Sequence, residues 1–276
     1  LFPSFSAAWR ISEENFIKDN CEWMNNLKLR VSWGKLGNQS IGNYAYHDIY
    51  DSSNIALGGE QVQAMNQNKL VDKSLTWEET AISDIGIDFS LWNNKLYATL
   101  DWYNKVTSGI LNQAPIPASV GMSAPTINYG KLRNRGVEIQ VGHMNQVRDF
   151  SYGISFMASF NKNKVLDLLA PSYGTYINEV GLPYGEYYMW EWIGLFQSEE
   201  EVASAPKHPY KIQPGDLKLK DQNDDGVIDG DDRIVVSGKY PKMVYSFNMD
   251  MAYKNVDLTL FFQGIEGRKI FTHSYI

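Results

Sequence analysis

The sequence of 276 residues has a single cysteine, Cys21, and four scattered histidines, His47, His143, His208 and His273, none in HxxxH or HxH spacing. An internal disulfide framework and a CxxC zinc site are therefore excluded, and Cys21 reads as an ordinary small residue. No run of about 18 apolar residues occurs, so no transmembrane helix is expected. Positive charge is scarce: 25 Lys and Arg face 32 Asp and Glu, a net charge of -7. That balance argues against a nucleic-acid partner, which requires a basic face. GxSxG, GxGxxG and GxxxxGK[ST] patterns are missing, and no catalytic residue is assigned. The opening Leu1-Phe2-Pro3-Ser4 has neither a basic start nor a long apolar core, so the chain is expected to be a mature end or a piece of something longer.

What the sequence has in abundance is aromatic side chains, with 17 Tyr, 12 Phe and 8 Trp, and long stretches of period-2 alternation. Over 95–106, Leu96, Ala98, Leu100 and Trp102 form one set, and Tyr97, Thr99, Asp101 and Tyr103 the other. Over 76–91, Trp77, Ala81, Ile85, Ile87, Phe89 and Leu91 alternate with Glu78, Thr80, Asp84, Asp88 and Ser90. Such alternation is the mark of a strand with one apolar and one wet face. It recurs over 136–143, 152–160, 243–253 and 256–262, and at the front over 5–11 and 27–33, with a short helical turn expected within 13–26. About eight strands result, several longer than the usual five or six residues.

Turns are expected near 92–95, 144–149 and 253–256, whereas the alternate connections, 34–75, 107–129 and 164–241, are long. Short turns at one end and long loops at the other are the asymmetry of an outer-membrane barrel. The apolar faces carry Leu, Val, Ile, Phe and Ala, with Trp77, Trp102, Tyr152 and Tyr245 toward their ends, as aromatic girdles would. The opposite faces carry Glu78, Asp84, Asp88, Asp101, Glu138 and Asp250. Burying those carboxylates in a dry sandwich would be costly, while a water-filled lumen removes the cost. A mean hydropathy of -0.35 fits either a barrel or a soluble β-protein, because only alternate barrel residues face lipid. The soluble alternative is a calcium-dependent carbohydrate-binding β-protein, and a surface adhesin barrel is a third possibility.

One motif carries specific chemistry. The run from Asp221 to Asp232 has the pattern D-x-N-x-D-G-x-I-x-x-x-D of a calcium loop. Asp221, Asn223 and Asp225 take ligand positions 1, 3 and 5, Gly226 permits the sharp turn, and Val227 offers its carbonyl. Ile228 anchors the loop, Asp229 acts through water, and Asp232 closes the site. The ion's expected role is to stiffen a long loop. An acidic solvated turn without metal is the competing reading. The run Tyr184–Phe196, with Tyr187, Tyr188, Trp190 and Trp192, is a candidate surface for a sugar or a partner protein, or else packs the long loop on itself. Glu78, Glu79, Asp84 and Asp88 do not single out a general acid–base pair. Asn38-Gln39-Ser40 matches a glycosylation sequon, a pattern common by chance.

Several segments in order resemble a known family. They are 27–34 followed by Gly37-Asn38-Gln39, 75–80 followed by 84–89, Asp101–Thr107, Asn128-Tyr129-Gly130, 134–138, Gly215-Asp216 leading into 221–232, Pro241, and 261–264. Together they are similar to the C-terminal half of the barrel in SusC-like TonB-dependent outer-membrane transporters of Bacteroidetes. That resemblance implies an all-β chain forming part of a transmembrane barrel of about 22 strands, with a plug domain and TonB box elsewhere in the family's sequence. It implies import of oligosaccharides, or less often peptides, driven through the TonB complex, with a SusD-like surface lipoprotein as lid. A siderophore transporter is the nearest alternative within the class. The calcium-loop pattern falls where this family often carries one. Residues 1–276 show no plug or TonB box, and the family's chain continues past the equivalent of Ile276. The chain is therefore expected to be a fragment of about eight strands, its 164–241 loop extracellular, its location the outer membrane.

Overall fold

A computed structural model describes residues 1–272; His273 lies outside them. Eight antiparallel strands form one sheet in sequence order: Ser4–Arg10, Met24–Asn38, Glu78–Leu91, Leu96–Ser108, Lys131–Val147, Phe150–Asp167, Met243–Tyr253 and Val256–Glu266. These are called here the first to eighth strands. Each pairs with its sequence neighbour, so the order is a simple meander. The first and eighth are the two edges and do not pair with each other. The short helical segment expected near the front is present as a 3₁₀ turn at Ile11–Glu13 and one helical turn at Asn15–Lys18.

The register aligns the alternation of every strand into rows that run across the sheet. One row reads Leu27, Phe89, Ala98, Val141, Phe156, Phe247, Phe262, and the next Trp9, Leu29, Ile87, Leu100, Ile139, Ala158, Tyr245. Polar rows lie between them, such as Lys28, Asp88, Thr99, Gln140. A slip of one residue in any pairing would move that strand's apolar set to the polar face, so the pattern itself fixes the register. No second layer covers the apolar rows among the described residues. Leu100 is 42% exposed, Val141 39% and Phe156 41%. A water-soluble sandwich would bury these side chains in its core. Here the apolar face is left outward, as lipid contact requires.

Glycines opposite aromatics tighten the sheet. Tyr97 pairs with Gly142, Tyr103 with Gly136, and Tyr245 with Gly264, and a Cβ at each of these glycines would collide with the facing ring. The aromatic ring takes the place of the missing side chain.

The hairpins expected near 92–95 and 253–256 are present, their turns carrying positive φ at Trp92, Asn93, Asn94 and Lys254. The expected 144–149 link is shorter than the sequence suggests. Strand pairing continues to Val147 and resumes at Phe150, leaving Arg148, at φ +56°, and Asp149 as the turn. At the other end, strands reach Asn38 and Asp167, several residues into the expected loops, while the fourth ends at Ser108, close to the expected boundary. Backbone pairing there outlasts the apolar alternation, because the ladder is satisfied by main-chain groups whatever the side chains. The long connections also contain their own elements: a hairpin of Tyr50–Leu57 and Glu60–Gln67, a pair Leu111–Gln113 and Thr126–Asn128, and a small unit between 168 and 242.

Candidate functional site

Two regions hold the candidate residues: the polar face of the sheet and the unit between the sixth and seventh strands. On the polar face Arg30 occupies the second strand opposite Gly86, whose other neighbour is Asp101. With no side chain at Gly86, the guanidinium passes over the third strand. Arg30 Nε donates to Asp88 Oδ2 at 2.8 Å, and Nη2 donates to Asp88 Oδ1 at 2.9 Å and to Asp101 Oδ1 at 2.8 Å. Thr99 Oγ1 also donates to Asp88 Oδ1. The forked donor set suits two carboxylates at once. Asp84, Asp88, Asp101, Glu138 and Asp250 share this face, as expected. Glu138 accepts from Ser159 Oγ at 3.5 Å and Asp250 from Thr259 Oγ1 at 2.7 Å. Glu78 stands at the strand end, where Oε2 accepts from the Leu111 N–H. Arg30, absent from the sequence-based set, is the organising residue. In sequence it stands with Lys28 as one of two cations alternating with Leu27, Leu29 and Val31.

The unit between 168 and 242 is built on a four-stranded sheet in the order Ser172–Tyr173, Tyr176–Asn178, Glu186–Trp190, Arg233–Val236. Beside it, Trp192–Leu195 pairs with Leu217–Leu219. A helical turn at Glu199–Ala203 starts at Ser198, whose Oγ accepts the Glu201 N–H. The buried centre of the unit is Phe196 and Ile228, 2% and 1% exposed. His208 packs edge-on against Phe196, its two ring nitrogens buried without a hydrogen-bond partner, and burial pushes its pKa down from its ordinary value.

The acidic run folds into a tight loop around Gly226, at φ +80°. Asp221 Oδ2 accepts the Gly226 N–H at 2.8 Å, and Asp225 Oδ1 the Val227 N–H at 2.8 Å. Asn223 Oδ1 accepts the Asp225 N–H at 3.1 Å. Ile228 and Lys207 tie the loop down through Ile228 N–H to Lys207 O and Lys207 N–H to Gly226 O, both 2.8 Å. Asp232 is fully buried. Its Oδ1 accepts the Gln222 N–H and its Oδ2 the Asp229 N–H, each at 2.8 Å. Those donors, the Asp229 N–H foremost, hold the Asp232 carboxyl below the usual carboxylate range against the opposing effect of burial. Asp229 Oδ1 accepts the Asp231 N–H.

As a test of fit to a cation, Asp221 Oδ1 is buried with no hydrogen-bond partner, a bare carboxylate oxygen of the kind a hard ion takes. Asp225, the Asn223 amide and the Val227 carbonyl lie in the same turn, and all are oxygen donors. Among the described residues no three His, Cys, Asp or Glu side chains converge as a metal centre does. A cation here would therefore lean on amide and main-chain oxygens as well as carboxylates.

The aromatic run does not form one exposed patch. Tyr187 is 8% exposed and packs near Tyr176 and Phe271. The Arg233 guanidinium lies over the rings of both Tyr188 and Trp190, at 4.7 Å and 5.3 Å from their centroids. Trp190 Nε1 donates to Asp229 O at 2.6 Å, so the aromatic run and the acidic loop are one structure. Trp192, 61% exposed, donates to Gly194 O and presents the open ring of the set.

With this geometry in view, comparison with known proteins is informative. Residues 1–262 match the family described as TonB dependent receptor-like, beta-barrel. The TonB-dependent receptor P26 of Formosa agariphila is 33% identical over 98% of this chain and 28% of its own length. The TonB-dependent receptor SusC of Bacteroides thetaiotaomicron is 28% identical over 94% of this chain and 26% of its own. In shape the chain is similar to the RagAB peptide importer in its open-open state, with a TM-score of 0.77 at 22% identity, covering 97% of this chain and 28% of that one. The chain spans less than a third of these relatives. The apolar rows, the polar face and the one-sided long loops are thus a stretch of barrel wall, and the chain belongs to the TonB dependent receptor-like β-barrel family.

Proposed function

We propose that this chain is the wall segment of an outer-membrane importer for oligosaccharides or peptides, driven by the TonB complex and working with a SusD-like surface lipoprotein. The observation that carries the reading is the division of one sheet into an exposed apolar face and a face organised by Arg30, Asp88 and Asp101. Lipid accounts for the first and a wet lumen for the second. In this reading the tight turns face the periplasm and the long connections face outward. The unit at 168–242 then stands at the extracellular mouth, where exposed Trp190 and Trp192 meet the lipoprotein or the cargo. The similarity to a peptide importer supports a peptide cargo, and that to a TonB-dependent receptor named SusC supports TonB-driven uptake, while the oligosaccharide reading rests on the sequence resemblance. The family assignment supports a transporter and not an enzyme.

Calcium belongs to the same proposal. Asp221, Asn223, Asp225 and the Val227 carbonyl would hold it, with Asp229 and Asp232 ordering the end of the loop, and its role would be to hold the extracellular unit rigid. The bare Asp221 Oδ1 supports this. The functional test is uptake by cells carrying the full-length gene or its deletion, offered labelled glycans, peptides or ferric chelates, with and without an intact TonB system. TonB-dependent loss of glycan or peptide uptake on deletion is expected. Loss confined to ferric chelates would favour a siderophore transporter instead.

A further inference from the structure

The apolar face ends, on the side of the long connections, in a cluster of cations. Val137, Trp102 and Phe160 form its last apolar row. Two residues beyond Val137 and Phe160 on the same face stand Arg135 and Lys162, directly opposite each other. Two residues further stand Arg133 and Lys164, again opposite. Like charges placed face to face across a strand pair are destabilising. Among the described residues none of the four joins a salt bridge, and Arg133 Nε is buried with no hydrogen-bond partner. In a chain of net charge -7 this concentration is not a consequence of composition.

A groove of about 570 Å³ adjoins the cluster, with Trp102, Val137 and Phe160 as its apolar floor, Arg135, Lys162 and Lys242 among its walls, and Tyr240 and Pro183 rising beside it. The one carboxylate lining it, Glu186, is occupied by the N–H groups of Gly238 and Lys239. From Val147, at the tight turn, to Val137 on the same face the strand advances ten residues, about 33 Å of extended chain. Tilted by about 40°, it spans roughly 25 Å, the height of a barrel's apolar band. The cations therefore lie just past the hydrocarbon level, where the phosphates of lipid headgroups sit.

We infer that Arg133, Arg135, Lys162 and Lys164 bind the phosphate of an anionic lipid in the outer leaflet, whose acyl chains lie on the Trp102, Val137 and Phe160 floor. This rests on the orientation given under the proposed function. A phosphate oxygen cluster relieves the repulsion of two opposed cation pairs and supplies acceptors for the unpartnered guanidinium. The neighbouring apolar row gives the same ligand a place for its chains, which a free phosphate would not use.

The test uses the full-length transporter in neutral-detergent micelles doped with diphosphoryl lipid A, counting bound lipid by native mass spectrometry. The comparison is the variant R133Q/R135Q/K162Q/K164Q, with K95Q, at the opposite end of the sheet, as control. Heat-modifiable migration in gels confirms that each variant has a folded barrel. R135Q/K162Q, which removes only the exposed pair, serves if the fourfold variant does not fold. Wild type and K95Q are expected to retain lipid, and the fourfold variant to lose on the order of a thousandfold in apparent affinity, at about 1 kcal/mol for each cation near an anionic surface. Equal retention by all variants overturns the inference. So does displacement of nothing but inorganic phosphate, or loss of a co-purifying protein with lipid retention unchanged, which would mark a protein-docking surface. Lipid retention is read without transport, so a failed uptake assay and a failed lipid assay are separate results.

Discussion

Arg30 reaches across the third strand to hold Asp88 and Asp101 together, with its Nη2 shared between the two carboxylates at 2.9 and 2.8 Å. The two acids sit on adjacent strands, and without the guanidinium their charges face each other over Gly86. Arg30→Gln is expected to destabilise the barrel by roughly 1–3 kcal/mol, the range for a hydrogen bond to a charged partner, with water in the lumen pulling it toward the lower end. Urea unfolding of the full-length protein in micelles measures this. Adding Asp88→Asn and Asp101→Asn to Arg30→Gln should return part of the loss, because the uncompensated charges are then gone.

Gly86 is the passage for that side chain. A Cβ there would collide with Asp101 Oδ1 and lie 2.6 Å from Arg30 Nη2. Gly86→Ala is therefore expected to break the bridge and cost about 1–3 kcal/mol through overpacking. The same substitution at Gly153, where a Cβ meets nothing within 4 Å, should be near neutral. Equal effects at both sites would show that the bridge is not what Gly86 serves.

These two cases show how far the sequence was legible. Alternation over Leu96–Trp102 and Ile85–Leu91 identified the strands and both faces, because a membrane leaves the apolar set no substitute pattern. It did not reveal that Arg30 crosses to Asp101, since that depends on register between three strands and on a glycine in the middle. The strand ends past Val137 were also hidden. Arg133 and Arg135 interrupt the apolar period while main-chain pairing continues. In the connection 34–75 the Gly58-Gly59 pair, both at positive φ, turns a hairpin whose strands are almost wholly exposed. Its only sequence signal is that dipeptide. The acidic loop and the aromatic run were each legible, but the Trp190 to Asp229 hydrogen bond that joins them was not.

For the acidic loop, Asp221→Asn and Asp225→Ala in the full-length protein are expected to abolish bound calcium, measured by elemental analysis after dialysis. Chelation of the unmodified protein should speed protease cleavage between 168 and 242 and leave the barrel intact. Unchanged metal content in both variants would reject the ion and leave an acidic turn held by its own N–H groups.

Ile228, 1% exposed, anchors that loop. Ile228→Ala should cost about 2–5 kcal/mol as a buried large-to-small change. The loss is expected in the loop unit alone, seen as faster hydrogen exchange over 168–242 with the barrel strands still protected.

His208 gives the same unit a pH dependence. Burial lowers its folded pKa from the ordinary 6.5, so the unfolded segment binds the proton more readily. Stability is fully present above the unfolded value and falls as pH drops below it toward the folded pKa. The protection factor over 168–242, taken against the base-catalysed intrinsic exchange rate at each pH, should therefore fall as pH drops below about 6.5. His208→Phe, which keeps the ring against Phe196 and removes the unpartnered nitrogens, should flatten that dependence.

The most direct measurement is the environment of neighbouring residues on the fifth strand. Nitroxide labels are placed singly at Ile139, Gln140 and Val141 in the full-length transporter reconstituted in bilayers, with Cys21 changed to serine. Positions 139 and 141 should collide with dissolved oxygen and be shielded from a water-soluble nickel chelate, and position 140 should show the reverse. Shielding of 139 and 141 from both reagents, as inside a protein core, would contradict the account.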